Sequence, residues 1–367
     1  MIEQPANPPG PLANFSPAYF ALVMATGIVS IASGFLGFSL IARVLFAINL
    51  AAYVTIWGLQ LGRLFRHPRR MLADLASHDR GASFLTVVAA TAMVGSELHL
   101  TLGADTVALA LWFFAIALWV VLLNAWFAAA VMVDPKPTLD RGIDGSWFLL
   151  TVSTQSIAVL GTYVANQFSV PEQVIFVCLA FYMLGAMFYL WVVGLVLLRW
   201  LFFPMERKDA LSPNYWINSG AMAITTLAGA RLIATTSPHV ASLAHFLTAF
   251  NLLFWVTASW WIPLLFLVNA WRLFIERFPL RYEPDYWSMV FPLGMYAACT
   301  WAYAQSAEMR FLEPIARGGI FVAWAAWLLT TLGMLKTLLS WMRPRRHLHV
   351  ALAATLGTLA WSHFRLA

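Results

Sequence analysis

Apolar residues in this chain fall in long runs, and polar positions are gathered into the short gaps between them. A helix needs roughly 20 mostly apolar residues to cross a bilayer. That window finds ten runs, at residues 17–38, 40–64, 81–102, 106–133, 146–167, 172–203, 214–236, 241–274, 286–306 and 315–342. Fifteen of the sixteen acidic residues lie in the gaps or at run ends, and only Glu97 sits inside a run. Such avoidance is expected where a charge at mid-bilayer costs about 3 kcal/mol or more. The pattern predicts an all-α integral membrane fold of ten transmembrane helices.

The odd runs begin near residues 17, 81, 146, 214 and 286, at intervals of 64, 65, 68 and 72. One helical hairpin is therefore used five times, the kind of internal repeat that sets a whole architecture. Trp147, Trp216 and Trp287 open three odd runs at the same point of the repeat, where a membrane interface favours an amphipathic ring. Gly, Ala, Ser and Thr fill 11 of the 19 positions in 217–235 and 8 of the 14 in 21–34, whereas Leu, Phe and Trp dominate 247–271. Small residues let helices approach closely, and bulky apolar ones suit lipid. The expectation is five small-residue helices inside and five bulky ones outside, in pseudo-fivefold order around a central pore.

Composition agrees with this picture. Of 367 residues, 61% are hydrophobic and only 10% charged, with a mean hydropathy of +0.76, too little charge to wet a soluble particle of this size. The net charge of +6 does not point to nucleic acid, because Lys and Arg gather in the gaps and toward the ends of the apolar runs. Eighteen of them follow even runs or lie at the C-terminal end, and four (Arg43, Arg231, Arg310, Arg317) lie on the opposite side. The positive-inside rule then places both termini in the cytoplasm of a multi-pass inner or plasma membrane protein. Residues 1–16 lack the basic start of a secretory signal and are expected to be a cytoplasmic segment. Residues 343–367 form a basic tail; its apolar stretch suits a short interfacial helix better than an eleventh span. Cys178 and Cys299 lie in apolar runs and show no redox spacing.

The ninth run contains Phe291-Pro292-Leu293-Gly294. Proline removes a backbone donor and clashes one turn back, so a kink and a released carbonyl are expected where the helix lines a cavity. With SPAYFALVMATGIVSIA (16–32), WFLLTVSTQSIAVLG (147–161), YWINSGAMAITTLAGA (215–230) and YWSMVFPLGMY (286–296), the chain resembles the tellurite-resistance and C4-dicarboxylate transporter family, over nearly all of residues 15–342. That family also holds fungal malate and sulfite carriers and plant guard-cell slow anion channels. The resemblance implies a homotrimer, each subunit with five hairpins around its own pore, and a plug formed by Phe291, with Pro292 and Gly294 shaping the gate. A ring across a narrow apolar tube blocks ions sterically and by dewetting.

Selectivity would come from uncharged donors. Thr26, Ser30, Thr91, Thr151, Ser153, Gln155, Ser219, Thr225 and Thr226 lie on odd runs and are candidates to line the pore and replace hydration water; for the hydroxyls the competing reading is a bond to the carbonyl four residues back. Arg231 and Glu97 lie toward the outer ends of odd runs, as mouth charges or as an ion pair with each other. His239 and His245 have no metal or haem spacing, and no nucleotide-binding or metalloenzyme motif occurs. The expectation is a non-enzymatic carrier or channel for small anions (C4-dicarboxylate, sulfite, chloride, nitrate or tellurite class) in a lipid bilayer, without cofactor. The alternatives are a membrane haem or quinone oxidoreductase subunit and a purely structural membrane subunit.

Overall fold

Every predicted run forms a helix. The computed structural model describes residues 10–204, 212–235, 237–279 and 281–342; the basic tail 343–367, residues 1–9, and Arg207 and Lys208 lie outside them. Among the described residues ten helices are sixteen residues or longer: α1 Phe20–Phe35, α2 Ser39–Arg66, α3 Leu85–Leu102, α4 Asp105–Met132, α5 Leu149–Val164, α6 Pro171–Phe202, α7 Ile217–Ile233, α8 Ala244–Phe274, α9 Trp287–Ser306 and α10 Glu313–Met342. Eight of them are long and apolar enough to cross a membrane. The other two, α7 and α9, are diluted by small and polar residues.

The two members of each pair differ as the composition suggests. Odd helices are 16 to 20 residues long and even ones 28 to 32. Side chains of the odd helices are buried along almost their whole length, while even helices bare a wide apolar face. The odd helices touch in a closed cycle, α1 to α3 to α5 to α7 to α9 and back to α1. Each even helix packs on its own odd partner, and α2, α4, α6 and α10 also reach the next odd helix round the cycle.

Two local features build this ring. First, a single 3-10 turn precedes every odd helix, at Pro17–Tyr19, Gly81–Phe84, Gly145–Phe148, Pro213–Trp216 and Pro284–Tyr286. Proline opens three of these turns, where its missing N–H costs nothing. The side chains of Ser16, Asp144 and Ser212 each accept the backbone N–H two residues ahead, capping donors that the turn leaves free. Second, Gly294 lets α9 meet α1: a Cβ there would lie 2.9 Å from Val29 Cγ2 and 3.0 Å from Ile28 Cγ2.

Even helices are stitched to the following odd helix by side-chain hydrogen bonds. Trp327 Nε1 on α10 donates to Thr26 Oγ1 at 3.0 Å, Trp119 Nε1 on α4 to Thr154 Oγ1 at 2.9 Å, and Trp255 Nε1 on α8 to Thr300 Oγ1 at 2.9 Å. On α2, the Tyr53 hydroxyl pairs with Thr91 Oγ1 at 3.0 Å. Such bonds inside a membrane are worth about 0.6–2 kcal/mol each.

The entry tryptophans depart from expectation. Trp216 and Trp287 are both 1% exposed: the Trp216 ring packs edge-on against Phe266 of α8 and Trp287 Nε1 donates to the Tyr282 hydroxyl at 3.0 Å, while Trp147 Nε1 donates to the His78 carbonyl. The helices also run unbroken through Pro292 and Pro263. The gap after α2 holds a short helix, Pro68–Leu75, whose Asp74 pairs with Arg63 and Arg80.

Candidate functional site

The odd helices all start at one face of the molecule, the basic face, and end at the other, the far face. On their shared axis is a small void bordered by all five, among others by Ile28, Met93, Val159, Leu227 and Met295. Counted from the first residue of each odd helix, its lining recurs at 7–8, 10–11 and 14 residues on, which is one helical face. The void measures about 10 Å³, about what a single water requires.

Phe291 lies one turn toward the basic face from Met295. Its ring is 1% exposed and rests in a notch of α7, where a Cβ on Gly220 would come within 2.8 Å of the ring Cε1 and 2.9 Å of Cδ1. Pro292 Cγ is 3.0 Å from the same point. Phe291, Pro292, Gly220 and Gly294 thus form one packed unit between α7, α9 and α1.

The nine polar residues read from the odd runs are all buried, and none of them borders the void. Thr26 and Thr91 hold the bonds to Trp327 and Tyr53 described above. Ser30 Oγ donates to the Ala42 carbonyl at 2.9 Å, and Gln155 Nε2 to the Tyr182 carbonyl at 2.9 Å. These four turn toward even helices. Thr225 and Thr226 donate to carbonyls four residues back, and Ser153 to Leu150 three back. The Thr151 and Ser219 hydroxyls are buried without a partner. Two residues the sequence reading missed, Ser96 and Ser156, do border the void; the signal for them was their place in the repeat, not their polarity.

Glu97 and Arg231 do not pair with each other. Glu97 is fully buried, and its Oε2 accepts from Asn49 Nδ2 of α2 at 2.5 Å; it faces no mouth. The Arg231 guanidinium stacks over the Tyr163 ring at 4.2 Å from its centroid, with Nε 3.5 Å from Thr162 Oγ1. Arg231 borders two cavities at the far face, of about 310 and 450 Å³.

A third cavity of about 700 Å³ opens at the basic face. Asp144 from the turn before α5, Asn214 before α7 and Asp285 before α9 border it, with Arg141, Arg199 and Arg272. Ser212 Oγ at 3.4 Å and Asn214 Nδ2 at 3.3 Å donate to Asp285 Oδ2. Burial, reinforced by the Asp144 carboxylate, pushes the Asp285 carboxyl up to about 6; burial raises Asp144 as well. The sequence reading passed over both, because acidic residues in a gap look like ordinary surface. Among the described residues no group of three or more His, Cys, Asp or Glu is placed to hold a metal ion.

The sequence is similar to those of known proteins. The family model described as voltage-dependent anion channel (SLAC1) matches residues 14–335. An uncharacterized transporter of Methanocaldococcus jannaschii is 23% identical over 87% of this chain and 93% of its own length, and a second from the same organism is 22% identical over 87% and 92%. An uncharacterized membrane protein of Mycobacterium tuberculosis is 38% identical over 40% of this chain and 75% of its own.

Proposed function

The chain belongs to the voltage-dependent anion channel family, and on that premise we propose that it carries small anions along the axis of its five odd helices, with Phe291 as the gate. The observation that supports this best is the closed cycle of odd helices around a void bordered by all five, with the Phe291 ring buried one turn away. Contrary to the expectation of a small-residue lumen, Ile, Met, Val, Leu and Tyr side chains make up most of the lining of this void, and they leave the axis narrow, apolar and shut.

In this reading the basic face is cytoplasmic, with both termini on that side of the inner or plasma membrane, and Arg231 attracts anions at the outer mouth. Ser96 and Ser156 border the path; their hydroxyls donate to the Ala92 and Val152 carbonyls at 3.0 and 2.7 Å and would have to turn from these bonds to serve a passing anion. Weak, distributed donors suit conduction, because a tightly bound ion would not leave. The substrate is one of the chloride, nitrate, sulfite, tellurite or C4-dicarboxylate class, moved by channel or proton-coupled carrier, and the working assembly is a homotrimer.

The test is flux from proteoliposomes under chloride, nitrate, sulfite and malate gradients. Phe291→Ala is expected to raise the flux of at least one anion about tenfold or more, as removal of a steric and dewetting barrier should. Unchanged flux across the panel, from protein that is folded and inserted, would refute the gate.

A further inference from the structure

We propose that Tyr163 is a second stopper, closing the same path at the far end of the void, and that an anion arriving at Arg231 releases it. This rests on the conduit reading above. Phe291 is the fifth residue of α9 and Tyr163 the fifteenth of α5. The odd helices start at one level, so the two rings stand ten residues apart along the axis, about 15 Å at 1.5 Å per residue. The void lies between them, and Tyr163, only 8% exposed, borders it.

The ring is clamped. Arg231 covers one face at 4.2 Å, and the His99 ring lies 5.1 Å from its centroid. His99 Nδ1 is itself held by Asp105 Oδ1 at 2.7 Å. Arg231 meanwhile borders both far-face cavities, one of which also includes Glu172. The same guanidinium therefore touches the stopper and the space from which an anion would come. A guanidinium binds an oxyanion through a planar fork of N–H donors, and doing so competes with its stack on the aromatic face. Binding loosens the hold on Tyr163, and the ring can swing off the axis.

Access to the void separates this from a stack that only fastens α5 to α7. The full chain, with Cys178→Ala and Cys299→Ala, carries Ser96→Cys in the void wall and is reconstituted in oriented vesicles. A negatively charged, membrane-impermeant methanethiosulfonate is added at the far face. Labelling is expected to be slow with Tyr163 or Tyr163→Phe, and roughly tenfold faster with Tyr163→Leu. Replacing gluconate by nitrate should speed labelling of the parent. Arg231→Gln keeps the ring and serves as the second variant: its basal labelling should be faster and indifferent to nitrate.

Equal labelling of the parent, Tyr163→Leu and Arg231→Gln overturns the stopper, and a parent blind to nitrate overturns its release by anions. Phe291→Ala should leave far-face labelling unchanged. If no variant passes anions yet Tyr163→Leu still exposes the void, the conduit reading fails and with it the anion gate, leaving Tyr163 as a cover over the void alone.

Discussion

At the scale of single residues, polarity in an apolar run told where a partner must exist but not on which side. Gln155 shows this. Its amide had to be satisfied, and Gly185 on α6 supplies the space, since a Cβ there would lie 2.6 Å from Gln155 Nε2. Nothing in the sequence ties those two positions together. Phe291 is singled out only through resemblance, because one Phe among 27 has no distinguishing pattern of its own. Asp285 carries a prediction. Its carboxyl is raised above the ordinary value of 3.8 to about 6 by burial and by Asp144, against the pull of Arg272 and the bond from Ser212; Glu283 adds to the rise. The fold thus favours the neutral form. Its stabilising effect is complete below the unfolded-state value and is lost as pH rises through about 6. Protonation also removes a negative charge from the basic-face cavity, which stands at the entry of the proposed path, so flux should climb as the basic-face pH falls through about 6. Asp285→Asn should flatten that part of the pH profile and raise the Tm above pH 7; a profile identical to the parent would count against both effects.

At the scale of elements, all ten apolar runs form helices, and eight of these are long and apolar enough to cross a membrane, because length and apolar content mark most membrane helices in a sequence. The inner and outer roles were legible because small and bulky residues segregate by pair. The 3-10 entry turns were not, since one turn leaves no periodic signal. The stitching between hairpins was hidden for another reason: a Trp in a lipid-facing run reads as lipid-facing, yet Trp119, Trp255 and Trp327 each spend their N–H on an odd-helix hydroxyl. These three bonds, with Tyr53 to Thr91, link four of the five hairpin junctions round the ring. Trp327→Phe, which keeps most of the ring volume and leaves Thr26 without its donor, should destabilise the protein by about 1 kcal/mol. Thr26→Val should cost a similar amount, and the double variant little more than either, as partners in one bond are not additive. Thermal denaturation in detergent measures all three; full additivity would mean that the bond contributes nothing.

At the scale of the whole molecule, the two proposed stoppers would shut the path at two levels, on either side of a void of about 10 Å³. Barriers in series have a definite kinetic signature. Removing the larger raises flux only until the smaller becomes limiting, and removing the smaller alone changes little. If Phe291 and Tyr163 block independently, Phe291→Ala gives a partial rise in anion flux and Tyr163→Leu almost none. The double variant then exceeds the sum of the two. If Phe291→Ala by itself already passes as much as the double variant, the far end is open in the working protein and a single ring controls passage. The comparison needs only one anion, one gradient and four proteins matched for reconstituted amount. It is insensitive to which substrate the protein carries in the cell, because both rings act on the width of the path and not on the chemistry of what moves through it.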